Sequence, residues 1–327
     1  MVADSDMDGL CAAAALKIAN PSIEVIFSHP ALIRSESMNE IIDSNCAIVD
    51  LPFHPNCGWY LDHHLTNKPS KIVEEEFIEK GGIFSWSLTP SAARLAYDLI
   101  SKSHDLSHLE EILPIVDRLD SGQISIEEFL ADGPIVRLSR CLGMRNIEFM
   151  HHVLELIISG TTIPEICDNE WVAEVLEDAK QSRKNEIKLV KDQTIIFDRL
   201  AICRLDETGI RTNGYLVTAY AGSRADAVCI THGYLDGTID DAQKSALSAS
   251  FYANSFLPDG QDKYNLSLLA TKLDETGGGH ANACGCRIQP ISEDFLVEDR
   301  ELSQMDLERN LEVWKAMWQN REIELSM

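Results

Sequence analysis

Cys46-Ala47-Ile48-Val49-Asp50 is a short apolar run, rich in β-branched residues, that ends on an acid. Ile23-Glu24-Val25-Ile26-Phe27 is a second such run, and helical patterns such as Leu10 to Ala19 separate the apolar stretches. Short strands alternating with helices predict an α/β domain built on a parallel sheet with helices on both faces. In open parallel sheets, chemistry gathers beyond the carboxyl ends of the strands. Asp50 stands at one such end. Asp62 terminates another apolar stretch and is followed by His63 and His64, while Asp4-Ser5-Asp6-Met7-Asp8-Gly9 fills the turn before the Leu10 helix. The three acidic stations are therefore expected to converge on one edge of the sheet.

So many carboxylates in one place repel one another unless a cation neutralises them. A divalent metal is the natural partner. Mixed carboxylate and imidazole donors suit Mn²⁺ well, with Mg²⁺, Zn²⁺ and Co²⁺ as alternatives. The acids suffice for two ions about 3.5–4 Å apart, an arrangement that activates water and stabilises charge on a phosphoryl group. The pattern Asp-x-Asp-x-Asp-Gly also opens a calcium-binding loop, but the twelfth position is Ala15 where that loop needs Glu. Taken singly, each station has a plainer reading: Asp8 before Gly9 is a good helix cap, and the pair His151-His152 lies on a helical stretch with no acidic companion.

The three stations in this order resemble the DHH phosphoesterase family. Gly277-Gly278-Gly279-His280-Ala281-Asn282-Ala283-Cys284-Gly285 extends the likeness, because it is similar to the glycine-rich signature of the DHH-associated substrate domain. Glycines there let backbone N–H groups approach an anion, and a following helix N-terminus would add its dipole. The resemblance spans nearly the whole chain. It implies a first motif of the Asp-x-Asp-x-Asp-Gly form, as in the single-strand exonuclease RecJ, with Asp6 and Asp8 each taking one metal and Asp4 assisting. It further implies that Asp50 bridges both ions, that His63 is a ligand, and that Asp62 and His64 orient ligands and phosphate. A last ligand is expected from Ile115-Val116-Asp117-Arg118-Leu119-Asp120: either Asp117 or Asp120, since both can share one helix face. Only Met1, Val2 and Ala3 precede the first motif where the family has a longer strand, which leaves a very short first strand or a start further upstream.

The chain has 327 residues, enough for more than one core. No stretch approaches the ~20 apolar residues of a membrane helix, and Asp4, Asp6 and Asp8 interrupt any apolar leader. Nine cysteines scattered along the chain suggest a reducing compartment, the cytoplasm, rather than a disulfide framework. Twenty-eight basic against 53 acidic side chains give a net charge of −25, which disfavours tight duplex nucleic-acid binding and favours short substrates. Arg137, Arg140 and Arg145 form the nearest approach to a basic cluster, expected to pair on the surface or at a domain interface.

The domain reading is a catalytic, metal-binding domain over 1–143, a helical connector over 144–191, a substrate domain over 192–291 and an acidic tail over 292–327. Thr89 and Pro90 predict the start of a helix running to Ile100. Apolar runs at Thr194–Phe197, Gly214–Val217, Val228–Ile230 and Leu247–Phe251 predict a smaller mixed α/β domain with helices on one side of its sheet, and Cys284-x-Cys286 is read as strand. In the tail, Leu307, Leu311, Trp314 and Trp318 recur at helical spacing, a stripe read as packing on its own protein, with a homodimer contact as the alternative.

Together these readings predict a Mn²⁺-dependent phosphodiesterase of exonuclease-like type acting on short oligonucleotides or on linear or cyclic dinucleotides. The metals would be held by Asp4, Asp6, Asp8, Asp50, His63 and Asp117 or Asp120. Asp50, His63 and His64 would serve catalysis, and Gly277, Gly278, Gly279, His280, Ser250 and Asn254 the substrate. The alternatives are a polyphosphate or pyrophosphate hydrolase, because the same centre serves P–O–P bonds, and a catalytically silent binding protein of the same family.

Overall fold

The computed structural model describes residues 1–257 and 264–321. It divides into two compact units, 1–181 and 182–327, and the division falls inside the long helix Glu170–Gln193. Most of that helix lies in the stretch 144–191 that the sequence reads as a connector.

The first unit is built on five parallel strands, β1 (Val2–Asp4), β2 (Ile26–Ser28), β3 (Ala47–Val49), β4 (Trp59–Asp62) and β5 (Ile83–Trp86). Their spatial order is β2-β1-β3-β4-β5. The chain leaves β1 toward one side and returns to the other, so the topological switch point, where open sheets bind ligands, lies between β1 and β3. β1 is only three residues long, yet it is laddered on both sides.

Alternation along these short strands sends side chains to both faces. Val2, Ile48 and Tyr60 join Ile33, Ile42 and Phe77 in one apolar cluster, and Phe77 belongs to the helix Lys71–Glu79. The helix Met7–Ala19 packs with β1 and β3 and with the helices Ala92–Ile100 and Ile147–Ile158. It is buried from Met7 to Leu16, where the run Ala12–Ala15 permits close approach. The apolar face of the Ile147–Ile158 helix, with Phe149, Val153 and Ile157, is fully buried. From this helix His151 lies against Phe27 of β2, and His152 reaches Asn169.

The second unit carries a mixed sheet formed by β6 (Thr194–Phe197), β7 (Leu200–Arg204), β8 (Ala227–His232), β9 (Ser248–Ala253), β10 (Gly278–Gly279) and β11 (Ala283–Arg287). Its order is β10-β11-β9-β8-β7-β6, with only β7 and β8 parallel. One face is covered by the helices Ser267–Leu273 and Gln304–Gln319, whose Leu307, Leu311, Trp314 and Trp318 enter the same core as Cys229, Phe251 and Cys284. Trp314 stands edge-on to Phe251 and donates to the Leu269 carbonyl, and Trp318 donates to that of Asp198. The stripe in the tail thus packs on its own unit.

Three sequence expectations are corrected here. Gly214–Val217 is not a strand but opens the helix Gly214–Ala221, because Asn213 caps it by accepting from the Leu216 N–H. That helix covers the other sheet face, where Tyr252 fills the space against Gly214, so helices lie on both sides and not on one. No helix follows the glycine signature directly. β10 and β11 form a hairpin, and Gly277 and Gly279 are needed there because a Cβ would meet the Ala270 and Ala283 carbonyls at 2.5 and 2.6 Å.

Candidate metal centre

Three neighbouring strands deliver the three acidic stations to one edge. Asp4 ends β1, and Asp6 caps the helix that follows, its Oδ1 accepting the Gly9 N–H at 2.9 Å. A Cβ on Gly9 would come within 2.4 Å of the Asp4 carbonyl, so the glycine lets the helix start close against the strand end and brings Asp4 and Asp8 together. Asp50 follows β3 in the left-handed conformation, with φ of 58°, while its N–H still donates to Leu61. Asp62 ends β4, and His63 and His64 follow it.

A fourth contribution comes from the helix Leu113–Asp120, whose last residue is an acid at the negative end of the helix dipole. His63 Nε2 lies 3.3 Å from Asp120 Oδ2 and 3.5 Å from both Asp8 Oδ2 and Asp50 Oδ1. Among the sets of potential ligands are Asp8 with His63 and Asp120, Asp4 with Asp6 and Asp50, and Asp50 with Asp62, His63 and His64. Within each set the ligand atoms lie within 4.8 Å of one another.

The surroundings hold these groups in place. Both Asp8 oxygens accept backbone N–H groups, from Ala92 and Ala93 at 2.7 Å each, so this buried carboxylate sits on a helix N-terminus. The helix begins two residues later than Thr89 and Pro90 suggested. Ser91 is the cap, its Oγ accepting from the Arg94 N–H, and this register exposes the two N–H groups that Asp8 uses. Thr89 serves otherwise, its carbonyl 3.0 Å from His63 Nδ1, which turns Nε2 toward the acids.

Asp62 is fully buried, has an oxygen within 4.8 Å of ligand atoms of Asp50, His63 and His64, and is held by hydrogen bonds. It accepts from the Tyr60 hydroxyl at 2.7 Å, from the His63 N–H at 2.8 Å and from His64 Nδ1 at 2.9 Å. Trp86 Nε1 donates to the His64 carbonyl. Asp117, three residues before Asp120, is engaged elsewhere. Its Oδ1 accepts from Ser91 Oγ at 2.6 Å, and its Oδ2 accepts from Arg94 Nε and Nη2 at 3.0 and 2.6 Å. Of the two acids that sequence could not separate, Asp120 stands in the cluster and Asp117 beside it. Tyr60, Ser91 and Arg94 were not singled out from sequence.

Electrostatics follow from this crowding. Burial, then the neighbouring acids, push Asp4, Asp8 and Asp50 well above the usual carboxylate range. Desolvation in the cleft and the charge of Asp120 push Asp6 up to about 6. Burial also opposes charge on Asp62 and His64, but their mutual attraction and hydrogen bond outweigh it. Asp62 falls below its ordinary value, and His64 rises to about 9. Asp50 Oδ1 is buried and accepts no hydrogen bond among the described residues. An acceptor-only oxygen left this way, within a set of oxygen and imidazole donors, fits a divalent cation.

The chain shares its fold with a solved enzyme. A structure described as a pGpG-specific phosphodiesterase, PggH from Vibrio cholerae, superposes with a TM-score of 0.62 at 20% identity, covering 98% of each chain. An uncharacterized protein from Helicobacter pylori G27 aligns over 96% of this chain and 98% of its own, at 15% identity and a TM-score of 0.31, too low to inform the fold. No protein-family model matches the chain, and no curated protein does.

The sequence-predicted substrate residues belong to the second unit. His280 lies in the turn between β10 and β11, its carbonyl accepting from Ala283. Ser250 lies on β9 opposite Gly285. Asn254 is fully buried, and its amide donates to the Gly222 and Ala225 carbonyls at 2.8 Å each, a task internal to the unit. Arg137 and Arg140 both pair with Asp132. No described helix is long and apolar enough to cross a membrane.

Proposed function

We propose that the chain is a metal-dependent phosphodiesterase of the DHH type that cleaves short oligonucleotides or linear or cyclic dinucleotides. The observation that carries this reading is the pairing of two ligand sets, Asp8–His63–Asp120 and Asp4–Asp6–Asp50, at the carboxyl ends of adjacent parallel strands. The PggH structure of the same fold, described as acting on pGpG, supports the substrate class. So does the net charge of −25, which disfavours long polyanions.

Asp8, His63 and Asp120 would hold one divalent cation and Asp4, Asp6 and Asp50 another, with Asp50 Oδ1 closest to the first set through His63. Bound Mn²⁺ supplies Lewis acidity and a water of lowered pKa for in-line attack on phosphorus. The residues do the rest. The Ala92 and Ala93 N–H groups aim Asp8 and favour its ionised form against burial and the neighbouring acids, and the Thr89 carbonyl fixes the His63 ring. His64, held protonated at neutral pH by Asp62, brings a positive charge beside Asp50, the sign that attracts a substrate phosphate. Asp117 is assigned to positioning, and Gly277–Gly279 with His280 to gripping the substrate.

The test is a hydrolysis panel in Mn²⁺ with pApA, pGpG, cyclic di-AMP, longer single strands, polyphosphate and pyrophosphate. Mononucleotide released from dinucleotides supports the proposal. Phosphate released from polyphosphate or pyrophosphate alone replaces it with a P–O–P hydrolase, and metal binding without hydrolysis of any substrate makes the protein a binding module.

A further inference from the structure

We infer that Arg94, Asp117 and Ser91 form a positioning clamp that sets the separation of the cation-holding carboxylates Asp8 and Asp120 from outside the metal centre. The inference rests on the metal-centre reading above. Asp8 and Asp120 are far apart in sequence and belong to different elements, yet both lie against His63 Nε2. Asp8 is fixed through the first two N–H groups of the helix Ala92–Ile100. Asp120 ends the helix Leu113–Asp120, which packs against that helix as well as against Met7–Ala19.

The clamp joins the two helices at the needed point. Ser91 caps the first helix, and the same hydroxyl that accepts from the Arg94 N–H donates to Asp117. Arg94, one turn in, closes a two-pronged pair on the other Asp117 oxygen. Asp117 precedes Asp120 by three residues, so the two share one side of their helix. Both partners are largely shielded, with 27% of the Arg94 and 15% of the Asp117 side chain exposed, which favours a defined geometry over a solvated pair. Arg94 therefore acts on the cation through Asp117 and the helix, with no contact of its own.

Position and charge predict opposite outcomes for Arg94. Removing a cation beside an acidic centre strengthens metal binding if only long-range charge matters. If Arg94 positions ligands, its loss weakens binding, by about 10- to 100-fold as outer supports of metal ligands do.

The experiment is Mn²⁺ titration calorimetry on the full chain, with Mn²⁺ paramagnetic resonance to count bound ions, for wild type, Arg94→Met, Asp117→Asn and the double variant. Arg118→Met is the control, because Arg118, on the same helix as Asp117, pairs with Glu128 of the helix Ile126–Ala131 and takes no part in the clamp. The expected result is two ions in wild type and Arg118→Met, and weakened binding with retained stoichiometry in Arg94→Met. The double variant should lose no more than the worse single one. Wild-type or tighter Mn²⁺ affinity in Arg94→Met overturns the clamp while leaving the metal centre standing. Loss of one ion outright in Asp117→Asn, with Arg94→Met unaffected, also overturns it and makes Asp117 a ligand. Absence of Mn²⁺ binding in wild type overturns the metal-centre reading and the clamp with it. If Arg94→Met fails to fold, Arg94→Lys, which keeps the charge and loses the fork, decides in the same terms with a smaller expected loss.

Discussion

The units differ in how they treat carboxylates: the first gathers buried Asp8 and Asp50 with the more exposed Asp4 and Asp6, while in the second the buried Asp274 and Asp306 are paired one by one. In the second, each has its own arginine. Asp306, which also completes the capping box of the helix Gln304–Gln319, takes the Arg300 fork and the Ile291 and Ser303 N–H groups. Arg300 holds it far below the usual range against the effect of burial. Burial pushes Asp274 up, but Arg287 and Thr276 outweigh it and bring it below its ordinary value. In the first unit Asp4, Asp6, Asp8 and Asp50 are gathered with imidazoles for company, and all are pushed up. Acids paired with arginine stabilise a fold. Acids concentrated without one hold a fold open to something that arrives from outside.

Breaking the open set should cost most. Asp50→Ala is expected to lower kcat by about 10³-fold or more, since the group that faces both ligand sets supplies several kcal/mol of charge stabilisation. Steady-state kinetics on a dinucleotide checks this, and near-normal turnover removes Asp50 from the mechanism. Next in size is the response to metal. Mn²⁺ at about 100 times its Kd should stabilise the first unit by ~2.7 kcal/mol, seen as slower amide exchange in residues 1–181 with little change in the second unit. Equal protection of both units would erase the contrast.

The paired set responds to truncation and to acid. Asp306→Ala should destabilise the second unit by about 2 kcal/mol, because several donors lose their acceptor while Arg300 remains partly solvated. Denaturant unfolding measures it. Asp274 and Asp306 are depressed in the folded chain, so their contribution is complete above the unfolded value near about pH 4 and is lost as pH falls through the folded one. Amide exchange in the second unit should accelerate on that acid side, and Asp306→Ala should flatten the slope. The smallest effect has the opposite sign. Without metal, Asp50→Asn should raise the stability of the first unit by about 1 kcal/mol by relieving repulsion, while activity is lost. A fall in metal-free stability would mean that Asp50 is satisfied within the fold.

Much of the first unit was legible in sequence because each acidic station ends an apolar run, and a parallel sheet carries such ends to one edge. Asp120 could not be told from Asp117, since three residues of helix put both on one side and only the Arg94 fork separates them. Ser91 was hidden behind Thr89-Pro90, a stronger capping signal two residues too early. In the second unit, Gly214–Val217 is apolar without periodicity, and its helical fate rests on one Asn213 cap. The glycine signature was legible as an unusual backbone, but its hairpin depends on contacts with Ala270 and Ala283 that no spacing reveals.

The left-handed turn at Asp50 has a consequence for how this protein could change. An L-residue in that conformation gives up roughly 1–2 kcal/mol that glycine would not. Exchange of the carboxylate for glycine would therefore relax the chain at the same stroke that disarms it. If the proposed hydrolysis is this chain's activity, one substitution would lead to an inert relative that folds at least as well.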